Sequence, residues 1–171
     1  DRRLVLLMCG SMGCGPMKET AELLLTALPS DAVLAVVCGR NERLFNQMTK
    51  LARTNARLFP VGFSPEISLY MDAAELIITK AGGLSSTEAA VKHLPIVFID
   101  AIPGLEIHNR DFFCKNGFAC FGESPEEISS LVCYLLSQPA RLNEMKQRIR
   151  EHFSHRSDKE IYEYIKANAQ A

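Results

Sequence analysis

The sequence has little that would mark a membrane-spanning, nucleic-acid-binding or disulfide-rich protein. It contains no apolar run near the roughly 20 residues that a transmembrane helix needs, and no signal peptide is recognisable. The net charge is −1, so the charge balance gives no general attraction to nucleic acid or to an anionic membrane surface. No repeat, low-complexity tract or internal linker interrupts the chain. These absences favour an ordinary soluble globular fold.

Six cysteines are present, but they form no C-x-x-C pair and are scattered among apolar segments. We expect free, buried thiols in a reducing compartment, because a chain of this length can build its own core without disulfides. Cys14 is the exception, since it stands in a glycine-rich loop where exposure is expected. The sequence places no base beside it, so a catalytic role is not predicted.

The 171 residues, 47% of them hydrophobic and 23% charged, suit a single domain. We assign the whole of 1–171 to it, with a helical C-terminal part at about 125–168. A strand is predicted from Leu4, almost at once after Asp1. We interpret the chain as a piece cut at a domain boundary.

Before residue 125, apolar runs alternate with helical patterns. The runs are continuous, as is typical of strands buried on both faces of a parallel sheet. This alternation predicts an α/β fold, a Rossmann-like three-layer domain with about six parallel strands and helices on both faces. Asn41 and Ser124 are predicted to start helices. The strands are predicted at 4–9, 32–38, 57–62, 75–79, 95–99 and 118–121.

Four polar or glycine-containing segments follow predicted strands. They are 10–15, 62–63, 82–83 and 103–109. In an open parallel sheet, ligands bind outside the carboxyl ends of the strands, at the point where the strand order reverses. We therefore expect these segments to converge on one binding site.

The stretch 79–89 is the most informative of these regions. An apolar strand leads through two glycines into a helix, whose unpaired N–H groups favour an anionic ligand. Glu88 lies just inside that helix, where its carboxylate could accept hydrogen bonds from a pair of sugar hydroxyls. Ser85 and Glu88 also fit a capping box, in which Glu88 bonds back to the N-cap backbone. Spacing alone leaves both interpretations open.

The glycine loop 10–15 stands between a predicted strand and a helix predicted to begin at Pro16. Its spacing is G-x-x-G-x-G, unlike the G-x-G-x-x-G of dinucleotide folds, and no Lys-Ser/Thr pair follows as in a P-loop. The next strand ends in Gly39-Arg40-Asn41, without the acidic residue of an NAD site. Two interpretations of the loop 10–15 therefore remain open, a phosphate-binding loop and a plain tight turn.

Five motifs stand in this order along the chain: CGSMGCGPM at 9–17, VCGRN at 37–41, VGF at 61–63, ITKAGGLSSTEAA at 78–90 and IPGLEIHN at 102–109. Together, and in this order, they resemble the C-terminal, donor-binding half of a GT-B glycosyltransferase. In particular, they are similar to the diacylglycerol sugar transferases of glycosyltransferase family 28, which comprise monogalactosyldiacylglycerol synthases and processive diacylglycerol glucosyltransferases.

The resemblance implies a binding site for a UDP-sugar. The glycine loop would lie by the diphosphate, Phe63 would hold the uracil largely through its backbone, and Glu88 would take the ribose hydroxyls. Ser85 would lie near the phosphates, while Glu106 and Asn109 would face the sugar and diphosphate. The full donor-binding set is Gly10, Ser11, Gly13, Phe63, Lys80, Gly82, Gly83, Ser85, Glu88, Gly104, Glu106, His108 and Asn109.

The resemblance further implies an inverting transfer of a hexose to a diacylglycerol-type lipid acceptor. N–H donors at two helix N-termini would stabilise the leaving UDP. The sequence has no D-x-D pair, which agrees with a donor site that needs no metal or other cofactor. No catalytic residue is identifiable, since the general base would belong to an N-terminal acceptor domain absent from this chain. The fragment is expected to be inactive alone, and the full-length protein to lie peripherally at the cytoplasmic face of a membrane.

Departures from the family pattern leave the sugar open. The family often has Pro, Gln and Gly where Ala81, Leu105 and His108 stand. One alternative is a UDP-N-acetylglucosamine transferase of peptidoglycan lipid intermediates, which usually has paired glutamines at the positions of Leu105 and Glu106. Another is a stand-alone donor-binding subunit that needs a membrane partner. A sugar-nucleotide epimerase is disfavoured by the Pro-Gly-x-Glu motif.

Several polar residues keep a plainer interpretation beside the functional one. Lys80 could assist the diphosphate, although a solvated lysine is expected, and His108 could donate to the diphosphate, although a position on a helix surface is expected. His152 and His155 could bind a metal, although most such pairs are solvated. The basic stretch 141–150 could touch acidic lipid, although its interrupting glutamates favour a solvated helix face.

Overall fold

The computed structural model describes residues 2–99, 105–153 and 157–169. One sheet forms its centre. Its strands are β1 (Arg3–Met8), β2 (Ala32–Gly39), β3 (Leu58–Gly62), β4 (Ala74–Thr79), β5 (Ile96–Phe98) and β6 (Ala119–Phe121). Their order in the sheet is β3-β2-β1-β4-β5-β6, and every neighbouring pair is parallel. The predicted six-stranded parallel sheet is confirmed, with each strand end within one residue of its predicted place.

Helices connect the strands and continue after the last one. Within the described ranges they are α1 (Met17–Ala27), α2 (Glu42–Ala52), α3 (Ile67–Ala73), α4 (Gly83–Val91), α5 (Leu105–Lys115), α6 (Pro125–Ser137), α7 (Pro139–His152) and α8 (Ser157–Asn168). The predicted starts at Asn41 and Ser124 are confirmed, because each side chain accepts a hydrogen bond from a backbone N–H of the helix it precedes. Pro16 stands one residue outside α1, not at its first position.

The sheet is covered on both faces, which explains why its strands are continuous apolar runs. Side chains alternate along β1, so Val5 and Leu7 enter one buried cluster while Leu6 enters the other. Helices α1, α2 and α6 cover the first face, and α3, α4 and α5 cover the second. Burying each of these aliphatic side chains contributes roughly 1.5–3 kcal/mol to folding.

The C-terminal helices close the domain on both sides. Helix α6 returns to the first face and packs beside α1, with Ile128 and Val132 fully buried. Helix α7 reaches both faces, since Met145 joins the first cluster and Ile149 the second. Helix α8 keeps large apolar side chains exposed, among them Ile161 and Tyr164. No helix in the described part of the chain is long and apolar enough to cross a bilayer.

The strand order places a crevice between β1 and β4. The chain proceeds from β1 outward to β2 and β3, and then crosses to the opposite side of β1, where β4, β5 and β6 follow. The loops that leave β1 and β4 therefore diverge to opposite faces of the sheet. This is the topological switch point at which open α/β sheets bind ligands.

Candidate functional site

Two glycine-containing loops meet at the switch point. The loop 10–15 leaves the end of β1, and Lys80, Ala81 and Gly82 leave the end of β4. The sequence placed both loops at one edge of the sheet, and the parallel register of β1 with β4 brings them side by side.

The first loop is held against the end of β2 by backbone contacts. Arg40 donates its N–H to the Ser11 carbonyl at 2.8 Å, and the Asn41 side-chain amide donates to the Gly13 carbonyl at 3.1 Å. A Cβ on Gly39 would stand 2.2 Å from the Ser11 oxygen, and one on Gly13 would stand 2.6 Å from the Cys38 oxygen. Both glycines have positive φ angles, +57° and +53°. Only glycine permits this close approach of two loops.

Helix α4 begins directly at the crevice. Gly82 is its N-cap, with an extended conformation and no side-chain cap, so the N–H groups of the first turn face outward from the helix end. The capping-box interpretation is wrong, because Ser85 is the third helical residue and not the N-cap. Glu88 lies one turn after Ser85 on the same side of the helix and is exposed.

A small cavity of about 160 Å³ connects the first loop, the end of β3 and the start of α4. Phe63 is 64% exposed, and the Arg40 guanidinium carbon lies 5.1 Å from the centroid of its ring. The cavity is lined by Met8, Gly10, Ser11, Val37, Gly39, Phe63, Ser64, Ile67 and Ser85. Four of these residues, Gly10, Ser11, Phe63 and Ser85, belong to the predicted donor site.

Lys80 and Glu106 form an ion pair beside this cavity. The Lys80 ammonium donates to Glu106 Oε1 at 2.5 Å, with the two side chains 28% and 16% exposed. The expectation of a solvated Lys80 is therefore wrong. Asn109, one turn further along α5, donates its side-chain amide to the Ala81 carbonyl at 3.1 Å. These two contacts tie the start of α5 to the loop after β4.

Other predicted site residues lie apart from the cavity. Gly13 borders a second groove of about 260 Å³ between α1 and α2, where Asn41 and Arg43 also lie. His108 is exposed on α5, as its plainer interpretation expected. Gly104 and the four residues before it, 100–103, lie outside the described residues.

The sequence predicted no site role for Ser64 and Ile67, which line the cavity, or for Arg40, whose guanidinium lies against the Phe63 ring. Arg40 and Ser64 each stand two residues after the end of a predicted strand, and this place at the carboxyl edge of the sheet could have marked them as candidates. Ile67 is an ordinary apolar residue of a short helix, and nothing in the sequence distinguishes it.

The cysteines carry no signal of nucleophilic chemistry. None of the six forms a disulfide, with Cys9 and Cys38 buried and Cys14 exposed as expected, while the remaining three are half-buried. Burial raises the pKa of the Cys38 thiol to about 11. Burial likewise raises the pKa of Cys114 to about 11. Thiols with such pKa values stay protonated at neutral pH and are poor nucleophiles.

The remaining candidates have structural partners. His152 packs on the Phe118 ring with centroids 5.0 Å apart, and His155 lies outside the described residues. Within the described ranges, no group of three or more His, Cys, Asp or Glu side chains is arranged to hold a metal ion. Along α7, Arg141 and Arg148 both pair with Glu144. Such pairing fits the solvated helix face.

Comparison with known proteins identifies related sequences over nearly the whole chain. Residues 4–163 match the glycosyltransferase family 28 C-terminal domain. The processive diacylglycerol beta-glucosyltransferase of Staphylococcus aureus (strain Newman) is 26% identical over 145 residues. This alignment covers 85% of the chain and 37% of that protein. The chain therefore spans little more than a third of the length of this relative.

Solved structures share the fold. MurG from Acinetobacter baumannii superposes with a TM-score of 0.67 at 25% identity, over 89% of this chain and 48% of the other. MnaA from S. aureus, solved as a co-structure with UDP, gives a TM-score of 0.70 at 14% identity, over 86% of this chain and 41% of the other. At that identity the second likeness shows the fold alone.

Proposed function

This chain belongs to the glycosyltransferase family 28 C-terminal domains and has the Rossmann-like fold of a GT-B C-terminal half, and we propose that it binds a UDP-sugar for transfer of a hexose. The observation that carries the proposal is the meeting of the two glycine loops with the start of α4 at the β1–β4 switch point. Backbone N–H groups at such a place suit the diphosphate of a nucleotide sugar.

The proposed donor extends from the cavity toward α5. Uracil lies against Phe63, the ribose hydroxyls donate to Glu88, and the diphosphate lies between the loop 10–15 and the start of α4. Ser85 supports this placement, because it lines the cavity one turn before Glu88. The hexose then faces Glu106 and Asn109, which the structure ties to the loop after β4.

The chemistry of this half is stabilisation of the leaving group. Negative charge grows on the UDP as the glycosidic bond breaks, and oriented N–H groups can stabilise that charge without reorganising. We propose that donor binding needs no metal. The transfer inverts the anomeric centre, and the base that activates the acceptor hydroxyl comes from another domain of the full-length protein.

The proposed acceptor is a diacylglycerol-type lipid. The support is the match to a processive diacylglycerol beta-glucosyltransferase over 85% of this chain. The full-length protein would then work peripherally at the cytoplasmic face of a membrane.

One observation favours a second candidate, a UDP-N-acetylglucosamine transferase acting on peptidoglycan lipid intermediates. The A. baumannii MurG structure matches 89% of the chain at 25% identity. Preference for UDP-N-acetylglucosamine over UDP-glucose and UDP-galactose would favour this candidate.

The test is calorimetric titration of the chain with UDP and the three UDP-sugars, each with EDTA and with Mg²⁺. We expect UDP to bind equally in both buffers. Glu88→Ala should weaken UDP by about tenfold, since hydrogen bonds to a charged group contribute roughly 1.5–3 kcal/mol. The matched control is Thr87→Ala, an exposed neighbour on α4 that points about 100° around the helix from Glu88, and it should bind UDP as the wild type does. Failure of both the chain and the full-length protein to bind any uridine nucleotide would overturn the proposal.

A further inference from the structure

The side chain of Lys80 lies where three segments of the candidate site meet. Its ammonium binds Glu106 Oε1 at 2.5 Å. Its Cε lies 3.7 Å from the place of a Cβ on Gly10 and 3.8 Å from that of a Cβ on Gly82. These two glycines belong to the loops between which the donor diphosphate is proposed to lie. Lys80 thus carries a positive charge into the space proposed for the diphosphate.

Glu106 holds this ammonium in the unliganded domain. It lies in the first turn of α5, and its side chain is 16% exposed. A carboxylate so shielded from water is costly without a partner. The Asn109 contact to the Ala81 carbonyl fixes α5 against the same loop, so the two charges are held at contact distance by the backbone around them.

We propose that Glu106 and the donor diphosphate compete for Lys80, so that Lys80 passes from Glu106 to the diphosphate when the donor binds. This inference rests on the proposed function. The diphosphate carries more negative charge and more acceptor oxygens than a carboxylate, and therefore attracts the ammonium more strongly. Glu106 is then released from Lys80, and its oxygens become acceptors for the hydroxyls of the hexose.

The exchange couples recognition of the diphosphate to recognition of the sugar. When UDP alone binds, Lys80 leaves Glu106, and no sugar hydroxyls donate to the Glu106 carboxylate. When a UDP-hexose binds, the hexose hydroxyls donate to this carboxylate, so the hexose increases the affinity above that of UDP. Coupling of this kind acts equally in both directions.

A double-mutant cycle on the chain tests this exchange, with dissociation constants measured for UDP and for the preferred UDP-hexose. Glu106→Gln should raise affinity for UDP by about fivefold, the lower end of typical coupling between sites, because Lys80 no longer has a competing carboxylate. The same variant should lose part of the extra affinity that the hexose adds, because a neutral amide oxygen accepts weaker hydrogen bonds than a carboxylate. Lys80→Met should weaken UDP binding by about tenfold, because the diphosphate loses a charged hydrogen-bond donor.

The decisive comparison is Glu106→Gln in the Lys80→Met background. Competition for Lys80 requires that the gain in UDP affinity nearly disappear there, to less than about twofold. A gain of equal size in both backgrounds would show plain repulsion between Glu106 and the diphosphate, and would overturn the proposal. An unchanged or weaker UDP affinity in Glu106→Gln alone would overturn it as well.

Two controls test whether the effects are specific to the Lys80–Glu106 pair and whether the fold is retained. Glu75→Gln breaks a comparable ion pair, Glu75 with Lys146 at 2.8 Å, and should leave UDP affinity unchanged. Thermal unfolding of each variant checks that the fold is retained. Absence of any uridine nucleotide binding, in the wild-type chain and in the full-length protein, would reject the proposed function itself. UDP binding with an additive cycle would reject the exchange alone.

Discussion

Glycines at the carboxyl edge of the sheet serve two different purposes. Gly10 and Gly82 border the Lys80 side chain, and a Cβ at either position would meet it at ordinary contact distance. Gly13 and Gly39 instead allow backbones to pack closer than any side chain permits. The motif glycines are therefore divided between lining the site and holding its first loop in place.

Gly39→Ala should strongly destabilise the domain. The new Cβ would stand 2.2 Å from the Ser11 oxygen, at a φ of +57°. Steric overlap and backbone strain together should lower the free energy of unfolding by roughly 3 kcal/mol. Chemical denaturation measures this change. Gly15→Ala is the control, because its φ is +85° but nothing lies within 4 Å of the new Cβ, so strain alone should cost about 1–2 kcal/mol. Equal losses in the two variants would contradict the packing argument.

At the scale of helices and loops, Asn41 joins the start of α2 to the first glycine loop. Its side-chain oxygen accepts from the Leu44 N–H at 2.9 Å, while its amide donates to the Gly13 carbonyl at 3.1 Å. One side chain therefore both caps a helix and fixes the loop proposed to hold the diphosphate.

Asn41→Ala should consequently lower stability and UDP affinity together. Loss of the cap should lower the free energy of unfolding by about 1 kcal/mol. Loosening of the loop should weaken UDP binding several-fold, as measured by calorimetry. Ser124→Ala removes a comparable cap, an acceptor for the Glu127 N–H at 3.2 Å, far along the chain from the loop. Ser124→Ala should lower stability and leave UDP affinity unchanged. A UDP affinity that is unchanged in Asn41→Ala would show that the loop keeps its shape without this contact.

The elements differ in how well the sequence predicts them. Strands such as β1 and β2 are predicted to within one residue, because a sheet covered on both faces demands continuous apolar runs. The start of α4 was harder, since a capping-box pattern at Ser85 and Glu88 competes with a helix that begins at Gly83. The backbone conformation around Gly82 and Gly83 decides where the helix starts, and the residue types alone do not specify it.

Contacts between elements are less predictable still. The Lys80–Glu106 pair joins residues 26 positions apart, and its existence depends on how α5 packs against the loop after β4. The close approach of Gly39 to Ser11 likewise depends on the pairing of β1 with β2. Sequence reasoning predicted that these loops share an edge, but it expected Lys80 to be solvated because lysine usually is.

At the scale of the whole molecule, thiol burial should make stability depend on pH in the alkaline range. The pKa of Cys38 and that of Cys114 are both raised by burial, from an ordinary value of 9.0 to about 11. The unfolded chain therefore loses these protons near pH 9, while the folded chain keeps them until about pH 11. Because the folded state then binds more protons than the unfolded state, stability falls as pH rises between these values.

Urea unfolding at a series of pH values should show this decline. We expect the thiol contribution to be constant below pH 8 and to turn downward above pH 9. Other groups also titrate there, so the informative quantity is the slope rather than the absolute free energy. The double variant Cys38→Ala and Cys114→Ala should show a shallower slope, even if the lost packing lowers stability at every pH. A slope as steep as that of the wild type would mean that these thiols ionise alike in the folded and unfolded chain, and that the core around them admits water.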